Sequence, residues 1–361
     1  MKLTVNTAMF KEMVNKASNG ASNNKLIPIT QLMGISSAGK SVMLTTTDAT
    51  NYLFVENEKN DSEGVFDVTV YVEQFSKLVA RMTSDDITLE VKDNTLEVKG
   101  NGTYTIELPL DEEGNIISYP NPISGTFNGG KMKTSGTVAL ADIDILLDIL
   151  KPSLSLDKSK PALWNYFAGD SAITTDGYKI ASYNKKLFDS EYVLSPELIN
   201  LFSVISAPTI EYVVKGDSIL FDAGDISIFG KLMSVDYPVD VLENLISEKF
   251  PSMCKINKSD FLNLLDRISL FVSKYDDKAI NMNFQKNGIE VSNKAGKSVE
   301  VIEYQSSKKH KDFSCIIDID FLTTQIKAYA SDMIELHYGN EGSIKLIDGN
   351  ITQIVALNVE E

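Results

Sequence analysis

The sequence predicts an α+β protein built from three similar domains in tandem. The first observation is a repeated pair of amphipathic helices, each with apolar residues at positions i, i+3, i+4 and i+7. The second is an alternation of apolar and polar residues after each second helix, which is typical of antiparallel strands with one buried face. The third is a period of about 120 residues, since Ile87, Ile210 and Ile334 occupy equivalent positions at spacings of 123 and 124 residues. Helices packed on antiparallel sheets define the α+β class.

The helices of each repeat are recognised by their apolar stripes. The stripe of the first helix occurs three times, as Phe10, Met13, Val14 and Ala17; Ile143, Leu146, Leu147 and Leu150; and Phe261, Leu264, Leu265 and Ile268. The stripe of the second helix also occurs three times, as Phe75, Leu78, Val79 and Met82; Leu198, Leu201, Phe202 and Ile205; and Leu322, Gln325, Ile326 and Tyr329. We therefore expect six helices, two in each repeat, with these residues packed on a sheet.

Strands follow the second helix of each repeat. The alternating stretches begin at Asp86, Thr209 and Met333, and each leads through a turn into a further strand. Proline and glycine interrupt the pattern near residues 119–122 and 248–251. We therefore expect domains at residues 1–122, 123–250 and 251–361. Contacts between such similar units close into a ring or propagate as a filament.

Composition excludes several classes of protein. With 43% hydrophobic and 23% charged residues over 361 positions, the chain has enough apolar residues for sizeable cores, unlike disordered or fibrous proteins. It contains no run near the ~20 apolar residues that a membrane span needs, and its start lacks the apolar segment of a secretory signal. Only two cysteines occur, so no disulfide framework is expected. We therefore expect a cytoplasmic protein.

The charge of the chain argues against sequence-specific recognition of nucleic acid. The 34 lysines and arginines against 50 acidic residues leave a net charge of −16, which repels phosphate at long range. Arg81 and Arg267 are the only two arginines, and guanine edges are read mainly by arginine. Any contact with DNA is therefore expected to be independent of base sequence.

Residues with catalytic potential have simpler structural interpretations. The carboxylate pairs Asp142/Asp144 and Asp318/Asp320 stand at predicted helix starts, where such side chains are usually caps or solvated. The two histidines are 27 positions apart and lack the spacing of a zinc site. No phosphate-binding or dinucleotide-binding glycine motif is present. We expect no enzymatic activity, no metal and no cofactor.

Five short segments match, in order, segments of one known family. They are Met1 to Val5; Leu26-Ile27-Pro28-Ile29; Leu44-Thr45-Thr46-Thr47-Asp48; Ala172-Ile173-Thr174-Thr175-Asp176-Gly177-Tyr178-Lys179-Ile180-Ala181; and Gly230-Lys231-Leu232 with Asp236-Tyr237-Pro238. The fourth is similar to Ala-Thr-Asp-Gly-His-Arg-Leu-Ala of the family. Over essentially its whole length, the chain resembles the bacterial DNA polymerase sliding clamp, the β subunit of the polymerase III holoenzyme.

The resemblance implies a ring-forming DNA clamp fold. Two copies would join head to tail as a homodimer, with helices facing a central hole that holds double-stranded DNA. The ring would tether the replicative polymerase to its template without chemistry of its own, and would bind polymerase and clamp loader through a short peptide motif. A protein that encircles DNA needs few phosphate contacts, which agrees with the acidic composition. The alternative is a β-rich oligomeric structural protein that does not bind DNA, and the paired helices in all three repeats favour the clamp.

The resemblance also implies positions for the DNA-facing and dimer-forming residues. The DNA-facing candidates are cations: Lys25, Lys77, Arg81, Lys158, Lys160 and Arg267. The dimer candidates are an apolar pair after the first helix of the third domain, Leu270 and Phe271, and two residues of an edge strand in the first domain, Tyr104 and Ile106. For Leu270 and Phe271, an ordinary core position remains the alternative.

A third implied site is a hydrophobic pocket for the partner peptide, completed by the C-terminal tail. Carried over by position, its residues are Trp164, Thr175, Gly177, Tyr178, Lys179, Ile180, Pro238, Leu242, Val355, Leu357 and Val359. For Trp164 a core position is the alternative. The chain has Tyr178-Lys179 where the family has His-Arg, and it ends in Leu357-Asn358-Val359-Glu360-Glu361 where the family has Met-Pro-Met-Arg-Leu. We expect this acidic tail to disfavour acidic peptides and to favour peptides with a cation.

Overall fold

The computed structural model describes residues 1–38, 41–57, 62–63, 65–123, 134–272, 278–306 and 310–358. The chain forms two compact units, the first from Met1–Leu140 and Glu197–Leu232 and the second from Ala141–Pro196 and Met233–Glu361. Each unit combines two antiparallel sheets with helices, so the predicted α+β class is confirmed. The division into domains at residues 122 and 250 stays a prediction.

Seven α-helices lie wholly within the described residues. Numbered along the chain, they are α1 (Thr7–Ala17), α2 (Val72–Ala80), α3 (Leu140–Ile145), α4 (Pro196–Asn200), α5 (Val239–Ser247), α6 (Lys258–Ser269) and α7 (Ile319–Ala328). The six predicted helices are confirmed, although α3 continues as a π-helical turn over Leu146–Leu150 and α4 as a 3-10 turn over Leu201–Val204. Helix α5 was not predicted from the sequence. None of the helices in the described part of the chain is long and apolar enough to cross a membrane.

The first unit contains a five-stranded and an eight-stranded sheet, both antiparallel. The spatial order of the smaller sheet is β5 (Ser62–Glu63), β1 (Lys2–Asn6), β7 (Asp86–Lys92), β8 (Thr95–Lys99) and β9 (Thr103–Glu107). The order of the larger sheet is β10 (Thr134–Ala139), β15 (Thr209–Lys215), β16 (Ser218–Asp222), β17 (Ile226–Lys231), β4 (Tyr52–Asn57), β3 (Ser41–Thr47), β2 (Leu32–Ala38) and β6 (Val65–Tyr71).

The second unit contains a nine-stranded and a four-stranded sheet, again antiparallel. The larger sheet has the order β14 (Tyr192–Leu194), β11 (Tyr166–Ala168), β12 (Ala172–Thr175), β13 (Lys179–Tyr183), β26 (Ile351–Ala356), β25 (Ser343–Asp348), β24 (Met333–Tyr338), β18 (Ser252–Asn257) and β22 (Gln305–Ser306). The smaller sheet has the order β21 (Val299–Glu303), β20 (Gly288–Asn293), β19 (Ala279–Gln285) and β23 (Phe313–Asp318). The pairing of β13 with β26 brings the C-terminal strand beside the Thr-Asp-Gly segment.

The helices are held by their apolar stripes, as predicted. Nearly all the stripe residues are buried, and only Leu78 and Leu147 are half-buried. In the first unit the rings of Phe10 on α1 and Phe75 on α2 pack edge to face, with centroids 6.1 Å apart. Burial of these stripes supplies most of the stability of such short helices, because isolated helices of this length are marginal in water.

The carboxylate pairs have structural partners. Asp318 is the N-cap of α7, because its Oδ1 accepts the backbone N–H groups of Asp320 at 2.7 Å and of Phe321 at 3.0 Å. Asp142 is neither a cap nor solvated, contrary to the expectation. Its buried carboxylate accepts a hydrogen bond from the Tyr183 hydroxyl at 2.8 Å and binds the ammonium of Lys185 at 2.7 Å, which ties α3 to β13.

Candidate partner-binding cavity and charged surfaces

A candidate site in the second unit is a cavity of about 740 Å³. The β12–β13 hairpin, helix α5, strand β26 and the loop between β24 and β25 surround it. Its lining is mainly apolar, and the described lining residues are Leu163, Thr175, Gly177, Tyr178, Ile180, Pro238, Val241, Leu242, Leu245, Glu248, Gly339, Asn340, Glu341, Gly342, Ser343, Ile354 and Ala356. Cavities of this size and character are typical of sites that bind small ligands or short peptide anchors.

The floor of the cavity is set by strand register. Ile180 on β13 lies opposite Thr175 on β12 and opposite Ile354 on β26, so these three side chains share one face of the sheet. Ile180 and Ile354 belong to a buried apolar cluster that also contains Leu242 of α5. Helix α5 is therefore packed directly onto this part of the sheet.

Tyr237 anchors the chain immediately before α5. Its ring stacks on Phe167 with centroids 5.6 Å apart, and its hydroxyl donates to the carbonyl oxygen of Ile173 at 3.1 Å. Burial raises the pKa of this hydroxyl, so it remains a donor at neutral pH. These contacts hold the N-terminal end of α5 against β11 and β12.

The Thr-Asp-Gly turn presents a tyrosine at the mouth of the cavity. Gly177 has φ +96°, a conformation that glycine adopts without a steric penalty. The carboxylate of Asp176 accepts the backbone N–H groups of Tyr178 at 2.8 Å and of Lys179 at 2.7 Å, which closes the turn. Tyr178 is exposed and stacks on Phe321, with ring centroids 6.0 Å apart.

Six of the eleven residues predicted for this pocket line the cavity: Thr175, Gly177, Tyr178, Ile180, Pro238 and Leu242. In and just after β26 the predicted residues differ by one position from the lining residues, because Ile354 and Ala356 face the cavity while Val355 and Leu357 do not line it. Successive strand residues point to opposite faces, so a shift of one position exchanges the lining set. Val359 lies outside the described residues.

Lys179 and Trp164 also do not line the cavity. Lys179 is buried, and its ammonium lies 3.2 Å from Asp176, donates to the carbonyl oxygen of Pro152 at 3.0 Å and stands 4.9 Å from the ring centre of Phe321. Trp164 is half-buried beneath Lys158, whose ammonium is 5.2 Å from the centre of the indole. The neighbouring Leu163 takes the lining position instead.

Besides Leu242, the lining residues of α5, Val241 and Leu245, and those of the β24–β25 loop were not predicted from the sequence. The spacing of Val239, Leu242 and Ile246 is that of a helix stripe, and it would have predicted α5 and its orientation. Residues 339–343 contain two glycines and give only a turn signal, so nothing local places them beside α5.

A second cavity, of about 470 Å³, lies between α1 and α2 of the first unit. Three cations line it, Lys11, Lys77 and Arg81, with no acidic residue among its described lining residues. The guanidinium of Arg81 donates to the carbonyl oxygen of Lys77 at 2.8 Å. The ammonium of Lys77 binds Glu73 at 2.6 Å, and this hydrogen bond lowers the pKa of the Glu73 carboxyl. The structure thus brings together two predicted DNA-facing residues and adds Lys11.

The other predicted DNA-facing cations differ in their surroundings. Lys25, Lys158 and Lys160 are exposed in loops. Arg267 is held by Glu300 through two parallel bonds, Nη2 to Oε2 at 2.7 Å and Nε to Oε1 at 3.0 Å, and the guanidinium lowers the pKa of that carboxyl. A fork of this kind fixes the guanidinium of Arg267 and pairs its charge with a carboxylate.

The predicted dimer residues are exposed in three of four cases. Leu270 is 81% exposed and Phe271 55% exposed after α6, so the alternative of a core position is wrong for both. Tyr104 is also exposed on β9, an edge strand of the first unit. Ile106 is a correction, because it is only 2% exposed and lies opposite the buried Leu96 on the inner face of the sheet.

Two further apolar residues of the second unit are exposed, on a strand that packs against α6. Val299 and Val301 lie on β21, the edge strand of the four-stranded sheet, and both are exposed. Helix α6 packs against β21, and Arg267 of α6 is bound to Glu300 of that strand. An edge strand with exposed valines is a surface that another strand can extend.

Comparisons with known proteins agree with the resemblance. Residues 1–116 match the family model of the DNA polymerase III beta subunit, N-terminal domain. The beta sliding clamp of Mycoplasmopsis pulmonis (strain UAB CTIP) is 26% identical over 281 residues, which cover 72% of this chain and 64% of that protein. This alignment thus spans slightly less than two thirds of the relative.

Solved structures extend the similarity of fold to the whole chain. The DNA polymerase sliding clamp from Bacillus subtilis has a TM-score of 0.86 at 17% identity, and DNA polymerase III beta subunit from Thermotoga maritima has 0.83 at 15% identity. Both comparisons cover 100% of each chain. The predicted clamp fold is therefore confirmed.

Proposed function

We propose that this chain is a sliding clamp that encircles duplex DNA as a homodimeric ring and tethers the replicative DNA polymerase to its template. The family match of residues 1–116 and the full-length similarity of fold support this proposal. The main observation behind the proposal is the correspondence of the entire chain with the Bacillus subtilis clamp at a TM-score of 0.86. Such a ring requires complementary ends, a surface that tolerates DNA and a site for partners. The described residues offer a candidate for each.

The proposed role is non-catalytic. The carboxylates that suggested acid–base chemistry have structural uses, since Asp318 caps α7 and Asp142 binds Lys185. Both cysteine thiols are protonated at neutral pH, because burial raises the pKa of Cys254 and of Cys315 to about 12.

Ring closure is supported by two edge strands. In the proposed dimer, β21 of one protomer extends the sheet that ends at β9 of its partner, so that two equivalent head-to-tail contacts close the ring. Leu270, Phe271, Val299 and Val301 would supply the apolar surface on one side and Tyr104 on the other. Burial of these exposed side chains gives the contact its hydrophobic driving force.

The contact with DNA is proposed to be weak and concentrated on α1 and α2. Lys11, Lys77 and Arg81 place three cations around one groove, whereas the described stretch Leu140–Leu150 carries three aspartates and no cation. Each phosphate that is neutralised lowers log K by about 0.9 per tenfold rise in salt. Lysines and a single arginine on helix faces give no reading of base edges, which suits movement along any sequence.

Polymerase and clamp loader are proposed to bind at the cavity of the second unit through a short linear peptide. Val241, Leu245 and Tyr178 are exposed at the cavity, and Ile180, Leu242 and Ile354 form its buried floor. Exposed apolar residues above an apolar floor favour a segment with two or three apolar anchors. We expect a fluorescent peptide from the C-terminus of a replicative polymerase to bind the intact protein and to be displaced by the unlabelled peptide but not by linear DNA.

The decisive experiment for the ring uses topology. Labelled protein is incubated with a singly nicked circular plasmid, passed through gel filtration at moderate salt, and the plasmid is then cut at one site. A ring stays with the circle and is lost from the linear product, because it slides off free ends. Equal retention on both forms would contradict encirclement, and no retention on either form would favour the β-rich structural protein.

A further inference from the structure

We propose that Glu248 and Glu341 make the cavity of the second unit selective for partner peptides that carry a lysine or arginine beside their apolar anchors. This inference rests on the proposed partner-binding role of the cavity and adds the charge of the preferred ligand. It concerns residues that lie in the described part of the chain, and is independent of the tail residues 359–361.

The two glutamates are the only charged residues among the described residues that line the cavity. Glu248 follows the last residue of α5, and Glu341 lies in the β24–β25 loop. The side-chain amide of Asn340 donates to Oε1 of Glu248 at 2.8 Å and so ties the loop to the end of the helix. Both carboxylates are exposed, at the edge of an otherwise neutral and mainly apolar surface.

Neighbouring cations do not pair with these carboxylates. Among the described residues, no lysine, arginine or histidine nitrogen comes within 4.0 Å of an Oε atom of Glu248 or Glu341. Lys345 lies opposite Ile354 in the sheet, but its ammonium is beneath the end of α5, where it donates to the carbonyl oxygens of Ile246 and Glu248, both at 2.6 Å. Burial lowers the pKa of Lys345, and Glu248 opposes this shift.

Lys179, which stands where the family has a cation beside the turn, is also engaged away from the cavity, by Asp176 and the Pro152 carbonyl. Among the described residues that line the cavity, the only charges are therefore the two negative ones of Glu248 and Glu341. Apolar walls accept many side chains of similar size, so the charge beside the anchors becomes the feature that separates one peptide from another.

The size of the effect follows from the exposure of both carboxylates. Exposed ion pairs contribute little each, and two of them together correspond to about a three- to ten-fold difference in dissociation constant between a cationic and a neutral peptide. An acidic peptide should bind more weakly than the neutral one by a similar factor. Both differences should shrink at 0.5 M salt, where the Debye length is about 4 Å.

The test uses the full-length protein and three fluorescein-labelled peptides. They share two leucines and a phenylalanine as anchors and differ only in the residues flanking them, which are lysine, glutamine or glutamate. Anisotropy titrations give the dissociation constants for the wild type, for the double variant Glu248→Gln/Glu341→Gln, and for Glu243→Gln as a matched control. Glu243 is an exposed residue of α5 that is absent from the cavity lining.

We expect the order lysine, glutamine, glutamate for the wild type and for the control. In the double variant the three constants should converge, with the constant for the glutamine peptide unchanged. An unchanged preference in the double variant, or equal constants in the wild type, would overturn the charge selectivity.

The variant Val241→Ser/Leu245→Ser tests whether peptides bind at the cavity at all, because it changes two exposed lining residues. If the glutamine peptide binds the wild type and this variant equally well, peptides bind elsewhere, and both the proposed role of the cavity and the charge selectivity are wrong. If the variant weakens the glutamine peptide but the wild type shows no charge preference, only the charge selectivity is wrong.

Discussion

Truncation of Leu270 and Phe271 tests the proposed ring contact directly. Full burial of a leucine or phenylalanine side chain is worth about 1.5–3 kcal/mol. Scaled by exposures of 81% for Leu270 and 55% for Phe271, burial of both side chains in the dimer corresponds to about 2–4 kcal/mol per interface. A ring has two such interfaces, so the variant Leu270→Ala/Phe271→Ala should lose about 4–8 kcal/mol of dimer stability, or about three to six powers of ten in dissociation constant.

Sedimentation equilibrium over a range of protein concentrations measures that constant. Urea denaturation at low concentration checks that the monomer keeps its fold, and we expect a change within about 0.5 kcal/mol because both side chains are exposed in the protomer. Leu156→Ala is the matched control, since Leu156 is 94% exposed and lies outside the proposed interface. A dimer constant that changes no more in the double variant than in this control would refute the interface, and a destabilised monomer would show a core role instead.

Three other predictions concern DNA, the Thr-Asp-Gly turn and the thiol of Cys254. Arg81→Gln should weaken binding to linear duplex and reduce the slope of log K against log salt by about 0.9. Arg267→Gln should leave the slope unchanged, because Arg267 is already bound to Glu300. Anisotropy titrations at four salt concentrations measure both slopes. Gly177→Ala should lower the free energy of unfolding, measured by urea denaturation, by about 1–2 kcal/mol. The cause is the backbone conformation, with φ at +96°, because no atom lies within 4 Å of the new Cβ to clash with it. An unchanged midpoint would show that the turn relaxes. At pH 8, well below the pKa of about 12 to which burial raises its thiol, Cys254 should resist iodoacetamide in the native protein and react on unfolding, and rapid native labelling of Cys254 seen by mass spectrometry would contradict its burial.

Local periodicity explains why the helices were predictable. A stripe such as Phe261, Leu264, Leu265 and Ile268 depends on residues within two turns of one helix, and each of these side chains is buried as expected. Helix α5 has the same kind of stripe, in Val239, Leu242 and Ile246, so it was also predictable from local periodicity. The α+β class likewise needs only the alternation of helix and strand patterns.

The cavity was predicted only in part because its residues come from distant segments. The Thr-Asp-Gly turn and Pro238 could be assigned by the resemblance, and both line the cavity. The contribution of the C-terminal strand depends on the register between β13 and β26, residues 179–183 and 351–356, and no local pattern fixes a pairing over that separation. The loop at residues 339–343 enters the site for the same reason, through tertiary packing alone.

The charges of individual sites were also decided by tertiary structure. The total charge, the number of arginines and the positions of the lysines follow from the amino-acid sequence. The sequence did not determine that Glu300 binds Arg267, or that Lys179 turns away from the cavity while Glu248 and Glu341 line it. Pairing of charges acts over a few ångströms between side chains that are far apart in the chain, so only the folded arrangement decides which cations and carboxylates remain available to DNA and to a partner.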